Sequence, residues 1–416
     1  MTGNDIDRPR LHIRPASGWL NDPNGLGVVD GVHHVFFQYN PNAPVHGDVH
    51  WGHVTSRDLL HWEEQPIALA PRPGGVDAVG CWSGSMLFDE GVPTLLYTAV
   101  ADTPHTAGVV RATPADPKLR TWIADDHLLA GSAEPAELEV RDPVVFAFGG
   151  HRYAAQGAGR HGGSGRIEIY LCDDLERWES RGVLLDGTDA VAATLGASNI
   201  WECPNLFELD GRWVLLYSVW RDATGPVRED AVAWLVGDLE DTPDGPRFRP
   251  ERAGFLDGGT SFYAPQVLLD GSRRLMWAWL REPDGDTHAE EAGWSGSLSF
   301  PQDLSLDAEG ALRARPATEL KGLRRAPAPV ASDGEIAVSA FEIAGTTAAL
   351  ELWLGEQQVY AHRGDPAAIR LFVDGSVVEV FTEGRPTFSA RAYPSTGGIW
   401  RLIGGEGTAV WELGVD

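Results

Sequence analysis

Apolar residues in this chain gather into short runs that come in pairs. Leu26-Gly27-Val28-Val29 and Val35-Phe36-Phe37-Gln38-Tyr39 flank Asp30-Gly31, a two-residue turn that closes an antiparallel hairpin. A polar motif, Asn21-Asp22-Pro23-Asn24-Gly25, stands just before the first run. Alone, Asp22 reads as a turn cap, the commonest use of Asp in such a context. The same figure recurs four times, however. It starts at Trp82-Ser83-Gly84 with a turn at Asp89-Glu90-Gly91, and at Arg141-Asp142-Pro143 with a turn at Gly149-Gly150. It starts again at Trp201-Glu202-Cys203-Pro204 with a turn at Asp210-Gly211, and at Phe262-Tyr263-Ala264-Pro265 with a turn at Asp270-Gly271. The lead residues 22, 83, 142, 202 and 263 are spaced by 61, 59, 60 and 61 positions.

A second signature falls later in each unit, as in Ser56-Arg57-Asp58-Leu59-Leu60-His61-Trp62 and Asp173-Asp174-Leu175-Glu176-Arg177-Trp178, each followed by a short apolar segment. Four strands per unit and five units predict an all-β fold, a five-bladed β-propeller over residues 1–300. In that architecture the innermost strands begin at one end of a central axis, so the five lead motifs converge. Trp294-Ser295-Gly296 reads as part of a closing strand. Residues 301–329, with Pro301, Pro316, Pro327 and Pro329, read as a connector. Residues 330–416 alternate around turns such as Asp374-Gly375 and predict a small C-terminal β-sandwich, with Glu379 and Glu383 solvated.

Charge narrows the choice of partner. Sixty acidic against 33 basic residues give a net charge of -27. Such a field repels phosphate backbones and anionic membranes, which argues against nucleic acid and membrane surfaces and for a small neutral ligand. Cys81, Cys172 and Cys203 are far apart and odd in number, so neither a disulfide framework nor a zinc site is expected. The N-terminal stretch has no apolar core of a secretory signal, and no run is long enough for a membrane helix, so the expected location is cytoplasmic.

Three of the five lead residues are carboxylates: Asp22, Asp142 and Glu202. Cleaving a glycosidic bond needs one carboxyl group to protonate the leaving oxygen and another to attack or activate water. Arg141 should keep Asp142 ionised, and Trp201 and Cys203 should give Glu202 a less polar setting that suits an acid. Trp19, Trp51, Trp82, Trp201 and Trp279 offer faces for sugar C–H surfaces, although blade packing accounts for most of the 16 tryptophans. Asn21 and Gln38 match sugar hydroxyls. His50 and His53 have His-x-x-His spacing, but a strand points them to opposite faces, and no metal or cofactor is called for.

Taken together, these motifs resemble glycoside hydrolase family 32, the invertases, fructanases and related β-fructofuranosidases. The resemblance rests on Trp19 to Gly25, Phe36 to Pro41, Trp51 to Leu59, Cys81 to Ser85, Arg141-Asp142-Pro143, Trp201 to Leu206, Phe262 to Gln266 and Trp294 to Gly296. It covers nearly the whole chain. It implies a retaining mechanism on terminal β-fructofuranosyl units; the expected cytoplasmic location makes sucrose or short fructo-oligosaccharides the expected substrates. Asp22 then matches the nucleophile, Glu202 the acid/base and Asp142 the transition-state stabiliser. Asn21, Gln38, Ser83 and Arg141 match residues lining the fructose subsite, with Trp51, Trp82, Cys203, Tyr263 and Trp279 around them.

Two positions depart from the family pattern: His46-Gly47 replaces a Trp-Gly pair, and Ser261 replaces an Asp before Phe262-Tyr263. The sandwich is also shorter than the family's. Close to Asp22 and Asp142, His46 is expected to be protonated at neutral pH. Alternatively the loop carries it out to solvent and Trp51 or Trp82 completes the wall. Rival readings are a fructosyltransferase or exo-fructanase of the same family, an inverting arabinan or xylan hydrolase resembling family 43, and a non-catalytic sugar-binding propeller. Carboxylate separation divides retaining from inverting enzymes.

Overall fold

A computed structural model describes residues 6–131, 138–221, 230–283 and 287–415, almost all of them in strands, turns and short loops. The first sheet contains β1 (Gly18–Val29), β2 (Val32–Asn40), β3 (His50–Ser56) and β4 (Glu63–Leu69). The second contains β5 (Gly80–Asp89), β6 (Val92–Val100), β7 (Gly108–Pro114) and β8 (Trp122–Ala124). The third meander is β9 (Glu139–Phe148), β10 (His151–Gly159), β11 (Arg166–Leu171) and β12 (Glu179–Asp186). The fourth is β13 (Ile200–Leu209), β14 (Arg212–Trp220), β15 (Ala231–Glu240) and β16 (Arg247–Phe255), and a single pair, Gly159 with Ile200, joins it to the third. The fifth begins with β17 (Phe262–Asp270) and β18 (Arg273–Leu280).

Each meander is antiparallel, and its first two strands are joined by the turn chemistry the sequence carries. Asp30-Gly31, Glu90-Gly91, Gly149-Gly150 and Asp210-Gly211 all have positive φ at both positions. That is the geometry of the two-residue turn whose twist matches a hairpin, and Gly, Asn and Asp adopt it most readily. The last hairpin differs by one residue: β17 runs through Asp270, so the turn is Gly271-Ser272.

The first strands of neighbouring meanders lie side by side. β1 packs on β5, β5 on β9, β9 on β13, β13 on β17, and β17 on β1 again. Short strands β19 (Trp294–Ser295) and β20 (Ser297–Leu298) tie the ends together. The former pairs parallel with Gly18 and Trp19, the latter antiparallel with Trp279 and Leu280. Residues beyond 301 do not form a bare connector. β21 (Gln302–Leu306) and β22 (Leu312–Pro316) complete the fifth sheet against β18. Of the prolines that suggested a linker, Pro316 pairs Gln302 on an edge strand, where no ladder donor is needed.

The C-terminal sandwich domain is one continuous sheet of β23 (Arg324–Pro327), β24 (Glu335–Ile336), β25 (Ala340–Leu354), β26 (Gln357–Asp374), β27 (Val377–Thr382), β28 (Phe388–Arg391), β29 (Trp400–Gly404) and β30 (Thr408–Leu413). The long β25 pairs with β30 along its first half and with β29 along its second. Phe341, Ile343, Leu352, Leu371, Val380 and Trp400 pack together in its core.

Phe372 and Phe381 belong instead to a cluster with Leu20, Phe37, Trp277 and Phe300. That second covered face overturns the expectation that Glu379 is solvated. Glu379 is fully buried and accepts bonds from Phe300 N at 2.8 Å and Gln302 Nε2 at 3.2 Å, whereas Glu383 is exposed as expected. Among the described residues, no helix is long and apolar enough to cross a membrane.

Candidate active site

Every first strand is interrupted at the same depth. The register of β1 on β2 shifts between Leu20 and Pro23, that of β5 between Trp82 and Gly84, that of β13 between Glu202 and Asn205, and that of β17 between Tyr263 and Gln266. On β9 the shift sets Arg141 opposite Gly157 and Val144 opposite Ala155. These are β-bulges, which bend a strand and re-aim its side chains. Asp142, Cys203 and Ala264, each before a proline, sit in the left-handed region with φ of 61°, 48° and 46°. For residues other than Gly this costs on the order of 1 to 3 kcal/mol each, and it persists where the surroundings fix it.

Side chains hold these bulges. Thr98 Oγ1 accepts the Asp142 N–H at 2.8 Å, and Ser218 Oγ accepts that of Ala264 at 2.9 Å. Amides stitch neighbouring first strands together. Asn24 Oδ1 accepts from Gly84 N at 3.1 Å, Asn205 Nδ2 donates to Pro265 O at 2.9 Å, and Gln266 Nε2 donates to Gly84 O at 2.6 Å.

The bulges create two tiers. Asp22, Ser83, Asp142 and Cys203 lie within the irregularities and form the inner tier. Ser83 Oγ donates to Asp22 Oδ2 at 2.6 Å and Gln38 Nε2 to the same oxygen at 3.0 Å. Gln38 also meets Ser83 Oγ. Cys203 Sγ lies 3.5 Å from Asp22 Oδ2, and Cys203 N donates to Asp142 Oδ2 at 2.8 Å. Arg141, Glu202 and Tyr263 are the last paired residues before the bulges and form the outer tier. Arg141 gives Nη2 and Nε to Glu202 Oε1 at 2.9 and 3.3 Å, and the Tyr263 hydroxyl donates to Glu202 Oε2. The setting of Glu202 is therefore polar, not the apolar one expected of it. Trp201 points the other way, stacking on Tyr217 at 4.2 Å with its indole N–H on Ser198 Oγ at 2.7 Å.

Burial dominates the proton affinities. Asp22 is pushed up to about 7 by burial, with Asp142 and Glu202 adding repulsion and the Ser83 and Cys203 bonds opposing. Asp142 is pushed up to about 6, again by burial first. Arg141 lowers it, as the sequence suggests, but its hydrogen bonds go to Glu202 and Glu139, so burial prevails. The Arg141 guanidinium is itself held more firmly protonated. Its burial is outweighed by Glu202, Asp142 and Glu139.

The rim is aromatic. Trp82, His46, Trp19, Trp279 and Tyr263 follow one another in edge-to-face contacts: His46 lies 6.1 Å from Trp82 and 5.1 Å from Trp19, and Trp279 lies 5.9 Å from Trp19 and 6.5 Å from Tyr263. His46 is thus in the wall, not in solvent. Burial lowers its pKa, so it is neutral at pH 7, contrary to the protonated state expected. Trp51 is not part of the wall. It is 0% exposed in the core between Phe36 and Tyr97, and its indole N–H is tied to Trp82 O at 3.1 Å. Asn21 is buried beside Asp22, and among the described residues its Oδ1 has no partner, an acceptor left open for a hydroxyl. Ser261 is buried with its backbone bonded to Ser389 and Arg281, which places it against the C-terminal domain.

Sequence reasoning missed Glu139, whose carboxylate meets Arg141, and Arg281, whose guanidinium lies 4.6 Å from the Tyr263 ring centre. Glu139 had a signal: two residues from Arg141 on one strand, it faces the same way. The cluster can hold a sugar hydroxyl, relay a proton and present a carboxylate to a reacting carbon.

The chain matches the family models of the glycosyl hydrolases family 32 N-terminal domain over residues 12–316 and of the family 32 C-terminal region over residues 330–407. It is 34% identical to the sucrose-6-phosphate hydrolase of Klebsiella pneumoniae, over 94% of this chain and 89% of the relative. It is 28% identical to the raffinose invertase of Escherichia coli, over 93% and 89%. The solved structure of a mutant GH32 β-fructofuranosidase of Bombyx mori in complex with sucrose superposes with a TM-score of 0.82 at 25% identity, covering 98% of this chain and 94% of that one. The chain belongs to glycosyl hydrolases family 32 and is a glycoside hydrolase of the β-fructofuranosidase type.

Proposed function

We propose that the protein hydrolyses terminal β-D-fructofuranosyl bonds of sucrose or short fructo-oligosaccharides with retention, through a covalent fructosyl intermediate on Asp22. The five meanders are read as the blades of a propeller with the active site at its axis, followed by the C-terminal sandwich from about residue 330. The observation that carries the reading is the meeting of Asp22, Asp142 and Glu202 on two adjoining tiers, close enough for each to repel the others. All three bonds given to Asp22 fall on Oδ2, which leaves Oδ1 to attack. Oδ1 forms a bond to the anomeric C2 while Glu202 protonates the glycosidic oxygen, whose bond to C2 breaks. Glu202 then takes a proton from water as the water oxygen bonds C2 and Asp22 leaves. Asp142, held by Cys203 N, opposes positive charge on the ring and binds ring hydroxyls. Asn21 and the aromatic rim offer polar and apolar contacts to a neutral saccharide. Three free cysteines support a reducing, cytoplasmic place of action.

The test is the first-formed anomer, read by NMR, together with mass spectrometry of peptides from a rapidly quenched turnover. β-Fructose and a fructosyl adduct on the Asp22 peptide are expected, and an inverted anomer overturns the mechanism. The related names favour sucrose 6-phosphate as a second reading of the substrate, since relatives of Klebsiella pneumoniae and Escherichia coli are called sucrose-6-phosphate hydrolases. Comparing kcat/KM for sucrose and its 6-phosphate separates the two.

A further inference from the structure

One buried carboxylate of the cluster takes no part in the chemistry above. Glu139 opens β9 and is 7% exposed. Its Oε2 accepts from Nη1 of Arg141, while Nη2 and Nε of the same guanidinium go to Glu202 Oε1. The guanidinium is therefore a bridge with Glu139 on one edge and Glu202 on the other, and the Trp82 ring centre lies 6.0 Å away. Its donors form a rigid planar fork, so fixing one edge fixes where the other points. A buried carboxylate is costly to keep unless it has a partner, and here the partner is the group that meets the acid/base.

We propose that Glu139 is a positioning residue for the glycosidic cleavage: it holds Arg141 at the angle and depth at which the guanidinium meets Glu202. This rests on the reading of Glu202 as acid/base. Arg141 faces Glu139, Glu202 and Asp142 by charge. Glu202 faces Arg141 and the Tyr263 hydroxyl directly, with Asp142 and Asp22 nearby. Removing the charge of Glu139 acts twice in one direction. It leaves Arg141 more fully to Glu202, and it takes one negative neighbour away. Both draw the guanidinium more fully onto the Glu202 carboxyl.

Glu139→Gln keeps the size and one acceptor. It should lower kcat on sucrose about tenfold at pH 7, leave KM within about threefold, and move the alkaline limb of the pH profile down by about half a unit or more. An aryl β-fructofuranoside, whose leaving group needs little protonation, should be turned over at nearly the wild-type kcat. Glu139→Asp, with the charge kept and the reach shortened, should restore the limb but not the whole of kcat on sucrose. The proposal is overturned if Glu139→Gln matches the wild type in kcat and limb, or loses equally on both substrates with the limb unmoved. Should Glu139→Gln not fold, Glu139→Asp decides alone, since equal losses on both substrates overturn the idea. A failure of the acid/base reading is distinct, because Glu202→Gln would then keep its sucrose turnover.

Discussion

Two buried clusters of carboxylates in this molecule are shifted in opposite directions. At the axis, Asp22 and Asp142 are pushed up to about 7 and about 6, with burial as the first cause. Where the C-terminal domain meets the N-terminal segment, Asp374 is equally buried, yet its carboxyl is held below the usual range. Burial raises it, but His12 and the backbone outweigh that. Asp374 accepts from the N–H groups of Arg10, Leu11 and His12 at 2.7 to 3.2 Å and from His12 Nδ1 at 2.8 Å. His12 Nε2 meets Glu379 at 3.0 Å, and the two carboxylates raise its pKa against burial. Depth is common to the two clusters; donors are not. Asp374 has three backbone donors and a cation, whereas Asp22 has an amide, a hydroxyl and a thiol and faces two further carboxylates. The domain junction is satisfied, while the axis is left short of positive charge, as suits the covalent mechanism proposed for it.

The largest effects should divide the two clusters. On the proposed mechanism Asp22→Asn removes the attacking oxygen and should cut kcat/KM on the order of 10⁴-fold or more. The same change should stabilise the fold. A carboxyl whose folded pKa is raised contributes stability below its unfolded value, and loses it as pH rises through the folded value. The ionised form of Asp22 therefore weighs against folding above pH 7, by up to about 4 kcal/mol. Thermal melts at pH 8 should show Asp22→Asn more stable than wild type, and the gain should vanish near pH 4. A variant less stable at pH 8 would show that Asp22 is satisfied as Asp374 is.

At the junction the sign reverses. His12→Gln takes the cation from two buried carboxylates and should destabilise by about 3 to 5 kcal/mol, with turnover per folded molecule unchanged. The raised pKa of His12 makes its contribution full below pH 6.5 and lost as pH rises through the folded value. The lowered pKa of Asp374 makes its own contribution lost only in acid. Denaturant melts across pH 5 to 9 should show the wild-type advantage shrinking at the alkaline end.

A smaller effect sharpens the contrast within the axis. Ser83 lowers the proton affinity of Asp22, and on the proposed mechanism Asp22 must be ionised to attack. Ser83→Ala should therefore move the acid limb of kcat/KM to higher pH, by about half a unit to one unit for one lost hydrogen bond. A limb that stays in place would assign it to Asp142 or to the coupled pair.

Much of this was legible in the sequence, and what was hidden has physical causes. The hairpins were readable because Asp30-Gly31 and its counterparts need positive φ, which few residues accept. The lead residues were readable because a repeat of about 60 positions leaves a count. That count concealed the offset of Glu202. The bulge of β5 holds Ser83 alone between its paired neighbours, whereas that of β13 holds Cys203 and Pro204, so equal spacing does not mean equal depth. Trp201 was misplaced because adjacent strand residues face opposite ways, so it cannot share a face with Glu202. Trp51 was misplaced because it lies on β3, two strands from the axis. Glu379 was misread because alternation marks an outward face but not what covers it; here Phe372 and Phe381 dock that face on the first and fifth sheets.

The smallest effect is predicted at His46, where the charge expected from the sequence and burial in an aromatic wall make opposite demands. Charge from Asp22 and Asp142 would favour imidazolium. Geometry decides against it. The ring is held between Trp19 and Trp82, and among the described residues no carboxylate is hydrogen-bonded to it. Removal from water then dominates and lowers its pKa. A neutral ring in a wall acts by shape. His46→Phe should leave both limbs of the kcat/KM profile within about 0.2 pH unit and change discrimination between sucrose and short fructo-oligosaccharides by less than about fivefold, the scale of one aromatic contact. His46→Trp, with its larger face, should alter leaving-group preference and the ratio of hydrolysis to transfer, again without moving the limbs. Rates measured with both substrates from pH 5 to 9 decide the matter. A limb displaced by half a unit in His46→Phe would mean that the imidazole carries charge, and that the axis holds a second cation beside Arg141.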